Sequence, residues 1–384
     1  MKKTLLLSEI FPPVKGGSGR WFSEIYSRID LEKVVIAAGD IEGADTVDKK
    51  NSLEIYRLPL ESNSWGLTDR EGLALYWRTY WRVRRLVRKN KIEVIHCARC
   101  IPEGLIGYLS YKFLDIPYLC YVHGEDVETA STSRELSWIV RKALKHTKYL
   151  VCNSQNTANI LLNNWNVSSD KIKIIHPGVD ATQFIPAPTE QKIRLQLGWK
   201  KSPVILTVGR LQERKGQGML IRSLPLIKTK YPDILYAIVG NGEQRSKLEQ
   251  LVEELNLQDH VLFMSELSDA EMIQCYQQCD IFILPNRTVG RDIEGFGMVL
   301  VEAQACAKPV IAGNSGGTAE TMLLEETGLI IDCTQPELIA QTLSTLLGDP
   351  EKCKQMGENG RKHVEQHLGW KMIAQQSKNL FEQL

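Results

Sequence analysis

Thirteen short apolar runs recur along the chain, separated by longer stretches, several of them with helical spacing. In the first half they cover 4–7, 34–37, 55–58, 94–97, 118–122, 150–152 and 172–175. In the second half they cover 204–208, 235–239, 261–264, 281–284, 310–312 and 329–331. Most are continuously apolar and do not alternate, which is the pattern of strands buried on both faces of a parallel sheet. Stretches such as 218–230 and 243–255 space their apolar residues for one face of a helix. Strand followed by helix, repeated throughout, predicts a doubly wound α/β architecture.

A chain of 384 residues exceeds what one hydrophobic core usually supports, so two domains are expected. The strand–helix pattern restarts near residue 190, just after a stretch dense in proline and glycine, His176-Pro-Gly-Val-Asp180 and Phe184-Ile-Pro-Ala-Pro188. The predicted division is an N-terminal Rossmann-like domain over 1–186, a second over 187–364, and a terminal helix over 365–384. Ligands of open α/β sheets bind outside the carboxyl ends of the strands, so functional motifs should fall there, in a cleft between the two domains.

Charge and cysteine usage narrow the function. Lys plus Arg number 47 and Asp plus Glu 46, a net charge of +1, which argues against a general nucleic-acid binder. Nine cysteines are scattered, and Cys120, Cys152 and Cys306 sit in apolar runs, as buried thiols of a reducing compartment do. Cys97 and Cys100 form a CxxC with no second pair to complete a metal site, and no metal is expected. The amino-terminal Met1-Lys-Lys-Thr-Leu-Leu-Leu-Ser-Glu9 has too short an apolar run for a signal peptide, and Glu9 and Pro12 interrupt it. No run approaches the length of a membrane span, and a cytoplasmic protein is expected.

Two constellations carry chemistry. In Val208-Gly-Arg-Leu-Gln-Glu-Arg-Lys-Gly216, a strand ends at Gly209 and a helix begins near Gly216, with Arg210 and Lys215 in the loop between. A guanidinium fork and an ammonium point charge both suit a diphosphate, although a solvated charged loop would read the same way. In Glu294-Gly-Phe-Gly-Met-Val-Leu-Val-Glu302, the glycines allow close approach of backbone amides, and a helix starting near Gly297 or Met298 offers orphan N–H donors to a phosphate. Glu302 lies just over one turn into that helix, where an acidic residue can accept from ribose hydroxyls. Glu294 precedes it on the loop, placed for hydroxyls of a sugar. A glutamate within so apolar a helix calls for a partner.

These residues, with Ser315-Gly-Gly-Thr-Ala-Glu320, Pro12-Pro-Val-Lys-Gly-Gly17, Tyr121-Val-His-Gly-Glu125 and His176-Pro-Gly-Val-Asp180, resemble the donor site and flanking motifs of retaining glycosyltransferases of family 4. The resemblance extends over nearly the whole chain. It implies the GT-B fold, two Rossmann-like domains with a C-terminal helix that crosses back onto the first. Asn286-Arg-Thr-Val-Gly-Arg-Asp-Ile-Glu-Gly-Phe-Gly297, Ala303-Gln-Ala-Cys306 and His123-Gly-Glu125 are more particular. They are similar to mannosyltransferases that extend phosphatidylinositol mannosides from GDP-mannose.

Roles follow from the resemblance residue by residue. Arg210 and Lys215 neutralise the donor diphosphate, Glu302 binds ribose, and Glu294 with the amides of Phe296, Gly297 and Met298 holds hexose and phosphate. Gly209 belongs to the same turn. Gly16 and Gly17 close over the diphosphate, His123 contacts the sugar near the reacting carbon, and Gly240 with Leu267 borders the base. The implied activity is a retaining hexosyltransferase needing no metal and no cofactor beyond its nucleotide-sugar substrate, acting on a lipid-linked or glycan acceptor. UDP-sugar use, or a two-Rossmann protein of another class such as a nucleotide-sugar epimerase, is the alternative. A dinucleotide oxidoreductase should show G-x-G-x-x-G after its first strand, and Gly16-Gly-Ser-Gly19 lacks that spacing.

The stretch over 76–91 is basic, aromatic and helical in spacing. It suits an anionic membrane surface, and equally a sheet-covering helix with Trp77, Tyr80, Trp81 and Leu86 partly in the core.

Overall fold

The computed structural model describes every residue except 15, 50, 63 and 201. Lys15, within the glycine-loop motif at Pro12–Gly17, thus lies outside the described residues. All thirteen apolar runs form strands. β1 (Thr4–Ser8), β2 (Val34–Gly39), β3 (Glu54–Leu58), β4 (Val94–Cys97), β5 (Tyr118–Val122), β6 (Leu150–Cys152) and β7 (Ile172–Ile174) make one parallel sheet in the order β3-β2-β1-β4-β5-β6-β7. β8 (Val204–Val208), β9 (Leu235–Val239), β10 (Val261–Met264), β11 (Ile281–Leu284), β12 (Val310–Gly313) and β13 (Gly328–Ile331) make a second, in the order β10-β9-β8-β11-β12-β13.

Both sheets show why their strands lack alternation. Central strands β1, β2, β4, β5, β6, β8, β9, β11 and β12 are buried at every residue, whereas edge strands β3, β7, β10 and β13 are only partly covered. Successive residues of β11 enter different cores. Phe282 and Leu284 join the cluster of Leu206, Leu300 and Phe296, while Ile281 and Ile283 join that of Ile205, Leu220 and Ile311. Strand side chains alternate faces, so a strand with a core on each side must be apolar throughout.

The chain divides into two compact units, Met1–Pro177 with Trp370–Leu384, and Gly178–Gly369. The division falls before the expected 186/187 boundary because Val179 and Phe184 are buried in the second unit's core, and Val179 N donates to Leu368 O at 2.8 Å. The expected terminal helix over 365–384 is likewise interrupted. One helix, Pro350–His367, stays with the second unit, and another, Trp370–Phe381, belongs to the first. There it packs on helix Gly17–Tyr26, with Phe381 against the rings of Tyr26 and His96 and Lys378 paired to Asp30 at 2.8 Å.

The basic aromatic stretch is part of a longer helix, Arg70–Asn90, started by the Asp69 side chain accepting from Gly72 N at 2.7 Å. Tyr76, Val83, Leu86 and Val87 join the core that covers the sheet. Trp77 and Trp81 do not belong to that core: they are 66% and 43% exposed. No helix of the described residues is long and apolar enough to cross a membrane.

Candidate functional site

The strand order of the second unit places its switch point between β8 and β11, where the connections leave to opposite sides. The loop after β8 carries Gly209 to Gly216, and the loop after β11 carries Asn286 to Gly297. The two motifs, 80 residues apart in sequence between Arg214 and Glu294, therefore meet. Gly216 makes the approach possible. Its φ is +72°, and a Cβ there would lie 1.7 Å from Pro285 O, so only glycine fits. It caps helix Gln217–Lys228 directly behind a short 3-10 turn, Glu213–Lys215.

Within this junction Glu294 is buried and takes two cations on one oxygen. Lys215 Nζ lies 2.5 Å and Arg214 NH1 2.6 Å from its Oε2. Burial alone would raise the Glu294 carboxyl, but Lys215 and Arg214 outweigh it and hold the group below its usual range. Lys215 is itself buried. Arg214 continues outward, its Nε 3.0 Å from Asp292 Oδ1. Arg287 N donates to Arg214 O at 2.7 Å, and Arg287 NH2 meets Glu213 Oε1 at 3.0 Å, so the two loops are clipped together on both sides of the cluster.

The Glu294 backbone is held from the other direction. Gly317 N donates to Glu294 O at 2.9 Å, and Asn286, also buried, donates to Ser315 O and accepts from Gly313 N. Helix Met298–Ala305 begins at Gly297, whose φ of +94° turns the chain into it. The Phe296 side chain belongs to the core, which leaves its backbone, together with Gly297 and Met298, at the helix entrance. Glu302 is buried and does have the partner its setting calls for: Tyr276 OH donates to Oε2 at 2.5 Å. Neighbouring strand ends are tied in sequence, with Gly209 N donating to Val239 O and Gly240 N to Met264 O. Leu267, half-buried just beyond, packs on the same core. Arg210 stands exposed at the mouth of the β8 loop.

In the first unit Gly16 and Gly17 open helix Gly17–Tyr26 after β1. His123 follows β5 and is buried, its ring set edge-on to Trp21 and Phe22. Its Nε2 faces Ala98 O at 2.9 Å, so that nitrogen carries the proton, and its carbonyl accepts from Asn153 Nδ2 at 3.3 Å. The nine cysteines are free thiols, Cys97 and Cys100 among the buried ones. Among the described residues no three His, Cys, Asp or Glu side chains gather as a metal site would require.

Sequence reading passed over Arg214 and Asp292. Arg214 adjoins Lys215 in a run of charge, and nothing in the run distinguishes a residue that faces Glu294 from one that faces water. Tyr276 was equally hidden, since it reaches Glu302 from a helix, Asp269–Gln278, with no motif of its own.

The chain resembles known proteins. A family model described as glycosyl transferases group 1 matches residues 189–363, and one described as Glycosyltransferase Family 4 matches 34–183. The chain is 30% identical, over 99% of its length and 98% of the relative's, to a GDP-mannose-dependent monoacylated alpha-(1-6)-phosphatidylinositol monomannoside mannosyltransferase of Corynebacterium glutamicum. It is 29% identical, over 96% and 95%, to a GDP-mannose-dependent alpha-(1-6)-phosphatidylinositol monomannoside mannosyltransferase of Mycolicibacterium smegmatis. Among solved structures it shares its fold with Anabaena HepE in complex with UDP-glucose, at a TM-score of 0.84 and 20% identity over 99% of this chain and 100% of that one. Sucrose-phosphate synthase of Thermosynechococcus elongatus has the same fold, at a TM-score of 0.82 and 22% identity over 100% and 99%. By motif, fold and full-length similarity the chain belongs to glycosyltransferase family 4.

Proposed function

We propose that the chain is a retaining, metal-independent mannosyltransferase that moves mannose from GDP-mannose to a lipid-linked or glycan acceptor. The observation that carries this reading is its near full-length identity of 28–30% with relatives whose names specify GDP-mannose as donor and a phosphatidylinositol mannoside as acceptor. Lys215, beside Glu294 at the switch point, and exposed Arg210 supply charge to the diphosphate. The amides at the start of helix Met298–Ala305 add oriented donors. Glu302 anchors the ribose, Glu294 offers Oε1 to a hexose hydroxyl, and Gly240 with Leu267 borders the base. Gly16, Gly17 and His123, in the other unit, are assigned to the donor on the resemblance alone.

In this mechanism the bond from the anomeric carbon to the diphosphate oxygen breaks as the acceptor oxygen attacks from the same face. The departing phosphate takes the acceptor's proton. Negative charge grows on the leaving oxygen, where Lys215, Arg210 and the helix amides stabilise it, a role that metal ions fill in other transferases.

The competing donors are UDP-sugars. Anabaena HepE was solved with UDP-glucose, but a likeness at 20% identity bears on the fold. Hydrolysis of GDP-mannose, UDP-glucose and UDP-GlcNAc by the purified chain separates the two. GDP-mannose turnover is expected, and turnover of UDP-sugars alone would refute the mannosyl reading.

A lipid-linked acceptor gives helix Arg70–Asn90 a use. Its outer face presents Trp77 and Trp81 with exposed Arg78, Arg82, Arg85 and Arg88, and Phe113 of the adjacent helix Glu103–Leu114 is 61% exposed. Aromatic rings among cations suit an anionic bilayer surface.

A further inference from the structure

Glu294 binds two cations through one oxygen, and among the described residues only Arg214 of the two has a second carboxylate. Arg214 joins Glu294 at 2.6 Å to Asp292 at 3.0 Å, while among the described residues Lys215 pairs with Glu294 alone, at 2.5 Å. The arrangement poses a conflict. A diphosphate must draw on the Lys215 charge, and were Lys215 the sole cation of Glu294, the buried carboxylate would be left desolvated and uncompensated. Lys215 would then be held back by the residue beside it.

We propose that Arg214, anchored by Asp292, is a positioning residue that keeps Glu294 compensated while Lys215 turns to the donor diphosphate. The anchorage is independent of Glu294. The backbone bond from Arg287 to Arg214 O and the Arg287–Glu213 pair hold the Arg214 turn against the same loop. Arg214 touches no donor atom in this scheme; it acts through the two residues that do. The proposal rests on the nucleotide-sugar reading above and assigns to the site an internal exchange of counterions.

Calorimetric titration of GDP and of UDP into the full chain tests it, since these probes lack the hexose and report on the diphosphate alone. Arg214→Met is expected to weaken binding of whichever nucleotide the wild type takes by about tenfold or more, and Arg214→Lys, which restores a cation, by less than about threefold. The decisive comparison uses Glu294→Gln. With the carboxylate neutralised Lys215 is no longer retained, so Arg214→Met in that background should change affinity little. An equal loss in both backgrounds, or wild-type affinity in Arg214→Met, would overturn the proposal. If Arg214→Met does not fold, Asp292→Asn serves in the same cycle, with a smaller loss that Glu294→Gln again cancels; additive effects would overturn it. A wild-type chain that binds neither GDP nor UDP would defeat the donor reading, and this proposal with it.

Discussion

At the residue scale, the candidate site is built around buried charge. Glu294 and Lys215 are both nearly enclosed and pair at 2.5 Å. Lys215→Ala or Glu294→Ala is expected to lower kcat for donor turnover by about 10²–10³-fold, the scale seen when one oriented stabilising group is removed. Circular dichroism should show the fold retained, and near wild-type turnover in either variant would remove that residue from the site. The pH dependence has a definite sign. The Glu294 carboxyl is depressed below its ordinary value of 4.5, so its ionised interactions are complete above that pH and are lost only as pH falls through the lower folded value. A loss of activity between about pH 6 and 5 would belong to other groups. Lys215, Glu294 and Glu302 are legible as candidates because their motifs place them at strand and helix ends. Arg214 is not, since direction of a side chain within a charged turn is decided by what packs opposite.

At the element scale, turns are as constrained as strands. Gly216→Ala would put a methyl 1.7 Å from Pro285 O at a φ of +72°. The left-handed backbone alone costs about 1–2 kcal/mol for a residue with a Cβ, and the clash adds to it. Gly290 is a control. Its φ is +61°, but nothing lies within 4 Å of a Cβ placed there, so Gly290→Ala should cost the backbone term alone. Thermal unfolding compares them; an equal loss in both would show that the Pro285 contact relaxes at no cost. The central strands were legible because burial on both faces leaves a nearly unbroken apolar run, and the partly covered edge strands β3 and β7 admit Arg57 and Lys173. Helix limits were less legible. Arg70–Asn90 begins six residues before the aromatic stretch at Tyr76, at a cap formed by the Asp69 side chain, and the tail is broken at Leu368–Gly369.

At the scale of the whole molecule, the proposed lipid-facing surface makes its own prediction. Flotation with vesicles containing anionic lipid should carry the chain upward at low salt, less so as salt rises, and less for Trp77→Ala with Trp81→Ala. Absence of flotation at low salt would remove the surface from the functional account. The presence of two units was readable as a restart of the strand pattern near residue 190. The division itself lies at Pro177/Gly178, because Val179 and Phe184 are claimed by the second unit's core.

The sequence by itself determined the α/β class, the thirteen strands and the placement of the two charged, glycine-containing motifs after β8 and β11, since hydrophobic period and local turn chemistry are written residue by residue. Only the tertiary structure decided which charges meet. The pairing of Arg214 with Asp292 and Glu294, the seating of Lys215 and the contact of Tyr276 with Glu302 join residues that the chain separates widely. A buried charge is stabilised by neighbours in space, and those neighbours are set by how the strands order themselves in the sheet.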